Sequence, residues 1–219
     1  MASAQTTASS AIASGYGAVP QSGGATAFSR VQDSFTVPTA TCAAAPNGIA
    51  AMRVGIGGVT TGAVERVGIT ETCSGGGTAT YAAFYQMYPA AQVNEFVPKP
   101  GDNLDLSVSA APGGVYTLSM QDLTSGESFT VTKLCASTCP NSSAQATAGS
   151  TPGAVPANFT AVNFGAIIVT DTAGVSGGMA NAAWGTITIT QTGSPNTVAG
   201  VLKTSTSPPE SAFKDTWNA

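Results

Sequence analysis

The 219-residue sequence predicts an all-β protein, a two-sheet antiparallel β-sandwich, on three observations. Apolar and polar residues alternate in short runs along the chain, which is the period of a half-buried strand. The runs are separated by turn formers, 26 Gly and 13 Pro in all, and these residues end strands and set tight reversals. No window carries a capped apolar stripe at the 3.6-residue period that a helix needs. About ten strands spaced in this way pack as two face-to-face sheets.

Each element has its own reason. Residues 1–14 are mostly Ala, Ser and Thr with little to bury, so they read as a flexible N-terminal arm ahead of a single sandwich domain, 15–219. Residues 34–38 alternate and stop at Pro38, and residues 52–56 alternate likewise. Gly57, Gly58 and Gly62 mark a turn before the strand 63–69. The run Gly75-Gly76-Gly77 leads into residues 80–88, an aromatic strand ended by Pro89. Leu104-Asp105-Leu106-Ser107-Val108 keeps a strict period of two. Residues 115–120 and 128–131 flank Asp122-Leu123-Thr124-Ser125-Gly126, a hairpin turn. Residues 135–157, rich in Ser, Ala, Gly and Pro, read as a loop. Strand patterns return at 166–169, 184–189 and 213–217. There is no internal repeat and no compositional boundary.

Composition excludes several functions. Charged residues are 8% of the chain, against about 25% in an ordinary soluble domain. There is no His, which removes Ser-His-Asp and Cys-His triads and His-ligated zinc. Seven cations against eleven acids, net −4, leave no electrostatic footprint for nucleic acid. No eighteen-residue apolar window suggests a membrane helix. A Ser-, Thr- and Gly-rich surface needs few ionised carboxylates, and a chain without His gains no charge from that residue between pH 8 and 5. Both features, with an even count of four Cys, suit an acidic, secreted setting. The first residues lack a signal peptide, so this form is expected to be a mature one or to use another export route. Cys135 and Cys139 read as a small disulfide loop rather than a metal site, which leaves Cys42 to pair with Cys73. Asn141-Ser142-Ser143 and Asn158-Phe159-Thr160 fit the N-glycosylation pattern, which arises often by chance in such a chain. No metal and no cofactor is expected.

Several segments, in order, resemble the eqolisins, the glutamic peptidase family. Ser14-Gly15-Tyr16 and Ser34-Phe35-Thr36-Val37-Pro38 are similar to its Trp-Ser-Gly-Tyr and Gly-Ser-Trp-Thr-Val-Pro. Arg53-Val54-Gly55-Ile56-Gly57-Gly58 resembles Trp-x-Gly-Ile-Asp-Gly. Tyr81-Ala82-Ala83-Phe84-Tyr85-Gln86-Met87-Tyr88-Pro89 resembles Tyr-x-Ala-Trp-Tyr-Glu-Trp-Tyr-Pro. Pro100-Gly101-Asp102, Leu123-Thr124-Ser125-Gly126 and Trp184-Gly185-Thr186-Ile187 match further family segments. The resemblance implies a concanavalin-like sandwich with a peptide groove on a concave sheet.

The resemblance also implies a catalytic pair, a Glu that activates water and a Gln that stabilises the oxyanion. The segment like Ile-Leu-Gln-Thr-Gly-Val reads Val64-Glu65-Arg66-Val67-Gly68-Ile69, which puts Arg66 at the Gln. The segment like Ala-Glu-Trp-Ile-Val-Glu is matched to Gly165-Ala166-Ile167-Ile168-Val169-Thr170, which puts Ala166 at the Glu. A rival placement gives Asn158. Strand parity turns Glu65 and Asp171 away from these positions. The implied protein is a non-catalytic binding or structural relative. Its groove is expected to contain Arg53, Arg66, Phe84, Gln86 and Met87 and to take an anionic or peptide ligand. The alternatives are an acid endopeptidase with substituted catalytic residues and, on fold analogy alone, a carbohydrate-binding module.

Overall fold

The computed structural model describes residues 6–10, 13–43, 45–59, 62–136, 139–151, 154–191, 196–197, 203–204 and 211–217. Its strands in chain order are β1 (Thr6–Ser10), β2 (Ala13–Val19), β3 (Phe28–Thr36), β4 (Ala40–Thr41), β5 (Ile49–Gly57), β6 (Val64–Cys73), β7 (Ala79–Met87), β8 (Val93–Phe96), β9 (Asn103–Ala111), β10 (Val115–Asp122), β11 (Ser128–Leu134), β12 (Ala144–Gly149), β13 (Asn158–Phe159), β14 (Val162–Asp171), β15 (Ser176–Gly177), β16 (Gly185–Gln191), β17 (Asn196–Thr197), β18 (Lys203–Thr204) and β19 (Ser211–Trp217). No helix occurs among the described residues.

Two sheets form the sandwich. The first runs β1-β16-β2-β12-β5-β6-β7-β8, and the second runs β11-β10-β9-β3-β14-β19-β17. Pairing along both is antiparallel except at one edge, where β1 lies parallel to β16. Alternation decides what goes inside. From the first sheet β5 buries Met52, Val54 and Ile56, and β6 buries Val67 and Ile69. From the second, β9 contributes Leu104, Leu106 and Val108, and β10 contributes Tyr116, Leu118 and Met120. Each such side chain adds about 1.5–3 kcal/mol when removed from water. Phe213 stacks on Phe164 at 4.6 Å and meets Tyr16 edge-on at 5.0 Å, joining the sheets beside β12.

Two expectations from the sequence are corrected. Residues 6–10 form the edge strand β1, and residues 13 and 14 open β2, which lies inside the first sheet. Residues 1–5 and 11–12 of the expected arm lie outside the described residues. The expected loop 135–157 contains β12, which lies between β2 and β5. Its inward residues Ala144, Ala146 and Ala148 are fully buried. Alanine has weak β-propensity, so tertiary packing rather than local preference makes this strand.

Cys42 is bonded to Cys73, and Cys135 to Cys139. The first bond spans 31 residues and the second spans 4. Replacing Cys42 and Cys73 by Ser is expected to cost about 3–4 kcal/mol, and replacing Cys135 and Cys139 about 2 kcal/mol, because the longer loop constrains the unfolded chain more. Urea titration of the two double variants checks the order; an equal or reversed cost would show that loop length does not govern it.

Candidate functional site

The side chains that point away from the core form a grid on the outer face of the first sheet. One cross-strand row reads Gly17, Gln145, Gly55, Arg66, Gln86 across β2, β12, β5, β6 and β7. The next reads Gly15, Thr147, Arg53, Gly68, Phe84. Arg53 and Arg66 are therefore diagonal neighbours on adjacent antiparallel strands, within reach for long side chains.

Glycines let the strands pack closely along this floor. A Cβ on Gly68 would collide with the carbonyl oxygen of Met52 and come within 2.7 Å of Arg53 Cβ. A Cβ on Gly55 would lie 2.7 Å from Val64 Cγ2 and 3.1 Å from Arg66 Cβ. Each arginine thus faces a glycine on the neighbouring strand.

The polar heads are held by defined partners. Arg53 is 5% exposed; its Nε donates to Thr147 Oγ1 at 3.3 Å and its Nη1 to the Ser150 carbonyl at 3.2 Å. Arg66 Nε donates to Gln86 Oε1 at 2.7 Å, while Gln86 Nε2 donates to the Ala90 carbonyl at 2.9 Å. Gln145 Nε2 donates to the Gly57 carbonyl at 2.9 Å. Burial, and then the neighbouring charge of Arg66, pull the Arg53 guanidinium down to about 9. Burial lowers Arg66 in the same direction.

The expected site residues divide between faces. Arg53, Arg66, Phe84 and Gln86 share this one. Met87 does not: it pairs with Glu65 across the strands and packs against the interior core. Phe84 and Met87 are three positions apart, and an odd spacing sends them to opposite faces. Ala166 does not share it either. It lies on β14 in the second sheet, where it lines a polar depression of about 520 Å³ with Arg30, Gln32 and Asp105 on that sheet's outer face. Arg66 and Ala166 thus lie on opposite outer surfaces of the sandwich and do not form one site. Asn158 is on the two-stranded β13–β4 pair, apart from both large sheets.

Gln145 is the floor residue that the sequence reading missed. The signal for it is the period-two set Ala144, Ala146, Ala148, which places Gln145 and Thr147 on the opposite face.

The acids nearest in sequence face inward. Glu65 and Glu71 are fully buried between the sheets. Glu65 Oε1 lies 3.4 Å from Cys139 Sγ, and neither oxygen of Glu71 has a hydrogen-bond partner among the described residues. Burial raises the Glu65 carboxyl to about 7 and the Glu71 carboxyl to about 8. Asp171 is also buried, with Oδ1 accepting from the amides of Ala173 and Val175 in a turn. No group of three or more His, Cys, Asp or Glu side chains that could hold a metal occurs among the described residues.

Comparison with solved structures finds this architecture elsewhere. Scytalido-glutamic peptidase, solved with a transition-state analogue inhibitor, superposes with a TM-score of 0.69 at 20% identity, over 94% of this chain and 100% of that one. SCP-B, described as a member of the eqolisin family and solved with the tripeptide Ala-Ile-His, gives 0.67 at 19% identity over the same shares. Aspergilloglutamic peptidase from Aspergillus niger gives 0.59 at 21% identity, over 78% of this chain and 99% of that one. No curated protein sequence matches. At these identities the superpositions establish the fold. The sequence model of the Peptidase A4 family matches residues 14–211, and the chain belongs to that family, the eqolisins.

Proposed function

We propose that this protein is a non-catalytic eqolisin, a secreted binding protein that retains the family's sheet surface and lacks its Glu and Gln catalytic pair. One observation carries the reading: the two strands flanking Gly55 present Arg66 and Gln145 in one cross-strand row. The segment resemblance puts Arg66 where the family has its Gln, and shared face and register favour Gln145, not Ala166, for the Glu. Peptide hydrolysis in acid needs a group that takes a proton from water. A guanidinium stays protonated, and a carboxamide is no base. Losing a general base costs about 10²–10⁴ in rate, and losing an oxyanion donor about 10²–10³. The buried inward position of Glu65 keeps it from substituting. Two disulfides and a sparsely charged chain support an extracellular setting.

The protein is expected to leave denatured protein substrates intact over about pH 2–5, the range in which a carboxylate base works. Mass spectrometry of long digests checks this. Turnover that persists in Arg66→Ala and disappears when one carboxylate is replaced would support the endopeptidase reading instead.

A further inference from the structure

We infer that the floor of the first sheet is a carboxylate-binding site in which Arg53 and Arg66 together hold the anion. The inference rests on the non-catalytic reading of that surface and names the chemistry of what it binds.

Two cations of the seven in the chain lie diagonally on adjacent strands of one face, with glycine opposite each. Their hydrogen-bond partners are uncharged: a threonine hydroxyl, a backbone carbonyl and a glutamine amide. Among the described residues no carboxylate is hydrogen-bonded to either. The nearest acids along the strands, Glu65 and Glu71, are on the other face by parity and are buried there. A buried charge without a counter-ion is costly, and a second like charge beside it adds to that cost. An anion between the guanidiniums relieves both.

The geometry suits a planar anion. Each guanidinium offers a fork of five N–H donors. Arg53 is anchored through Nε and Nη1, and Arg66 through Nε alone, so terminal donors remain for a ligand. Gln86 is itself fixed by the Ala90 carbonyl, so Arg66 is oriented by a partner that cannot easily turn away. Arginine forks match carboxylates in a bidentate way that lysine does not. The carboxylate could come from a free dicarboxylic acid or from an acidic peptide lying along the sheet, and the experiment separates these sources.

Calorimetric titration with succinate, with an acidic peptide, and with the corresponding neutral amides tests the site on the intact protein at low ionic strength. Binding of succinate or of the acidic peptide, absent for the amides and weaker in added salt, is expected. Arg66→Gln should reduce affinity about tenfold to a hundredfold, the effect of losing hydrogen bonds to a charged group, while Arg66→Lys should recover only part of it. Arg53→Gln should act in the same direction. If that buried variant fails to fold, the Arg66 pair still decides the question. Binding of the peptide but not succinate assigns the source to peptide. Failure of both anions to bind, or binding unchanged by Arg66→Gln, overturns the site. Substrate cleavage assayed on the same samples separates the two claims: no anion binding and no cleavage removes only this inference, whereas cleavage removes the non-catalytic reading on which it rests.

Discussion

Exchanging Arg66 for Gln and Gln145 for Glu in one chain is expected to produce hydrolysis of denatured protein in acid where the parent has none. The two changes supply a water-activating carboxylate and a neutral amide donor on the strands that flank Gly55. The base is worth about 10²–10⁴ and the donor about 10²–10³. Gln145→Glu alone should do far less. The retained Arg66 cation would pair with the new carboxylate, lower its pKa and hold it away from water. Recovery should also be partial in the double variant, because the Gln145 amide now donates to the Gly57 carbonyl. A carboxylate cannot make that bond and must find another rotamer. The control is Arg66→Gln with Ala166→Glu, which places the two groups on opposite surfaces of the sandwich and should stay inert. Activity in the control, or a folded but silent Arg66→Gln/Gln145→Glu protein, would show that the floor has been assigned wrongly.

The fold is expected to be most stable in acid and to weaken steadily towards neutral pH. Glu65 and Glu71 ordinarily titrate near 4.5, and burial raises them to about 7 and about 8 in the folded chain. Below about pH 4.5 both states are protonated and the full stability is present. Between there and pH 8 the unfolded chain releases protons that the folded chain keeps, so stability falls as pH rises. Above both folded values the contribution is gone. A tenfold difference in proton affinity between the folded and unfolded chain corresponds to about 1.4 kcal/mol. The two residues together can therefore remove several kcal/mol from a typical total of about 5–15. Asp33, also raised by burial, acts in the same direction. Urea titrations at pH 4 and pH 8 measure the difference, and Glu71→Gln should reduce it by making one of the groups permanently neutral. Equal stability at the two pH values would mean that the buried carboxyls find ionic partners or water.

Strands with large side chains were legible from the sequence, and strands built from small ones were not. Residues 104–108 and 115–120 alternate bulky apolar with polar residues, and both lie within observed strands. β12 has the same alternation written in alanine, and β2 contains two glycines among seven residues. Such residues are inward-facing or floor positions only because other strands surround them. That is information from the tertiary fold, absent from any local window. The separation of Arg66 from Ala166 onto different sheets was hidden by the same gap. With residues 144–149 read as loop, the family segment was matched to β14, whereas β12 is the strand that lies in the same sheet as β6. Parity fared better. It turned Glu65 and Asp171 inward correctly, and applied to Phe84 and Met87 it would have removed Met87 from the floor.

The central place of β2 has a consequence for how the chain reaches its native state. Among the described residues this strand pairs with β12 and β16, both far downstream in the chain, and the Ser14 hydroxyl bonds to residues 134 and 201 positions away. Neither partner exists until the chain has been made past β11. Loop closure over such separations is slow, and sheets dominated by non-local pairing are the slowest-folding single domains. The first sheet therefore cannot be completed until β16 has been made. Until β16 arrives, β2 has an unsatisfied edge, and unpaired edges of this kind recruit strands from other chains. A chain cut short before residue 185 would keep that edge permanently.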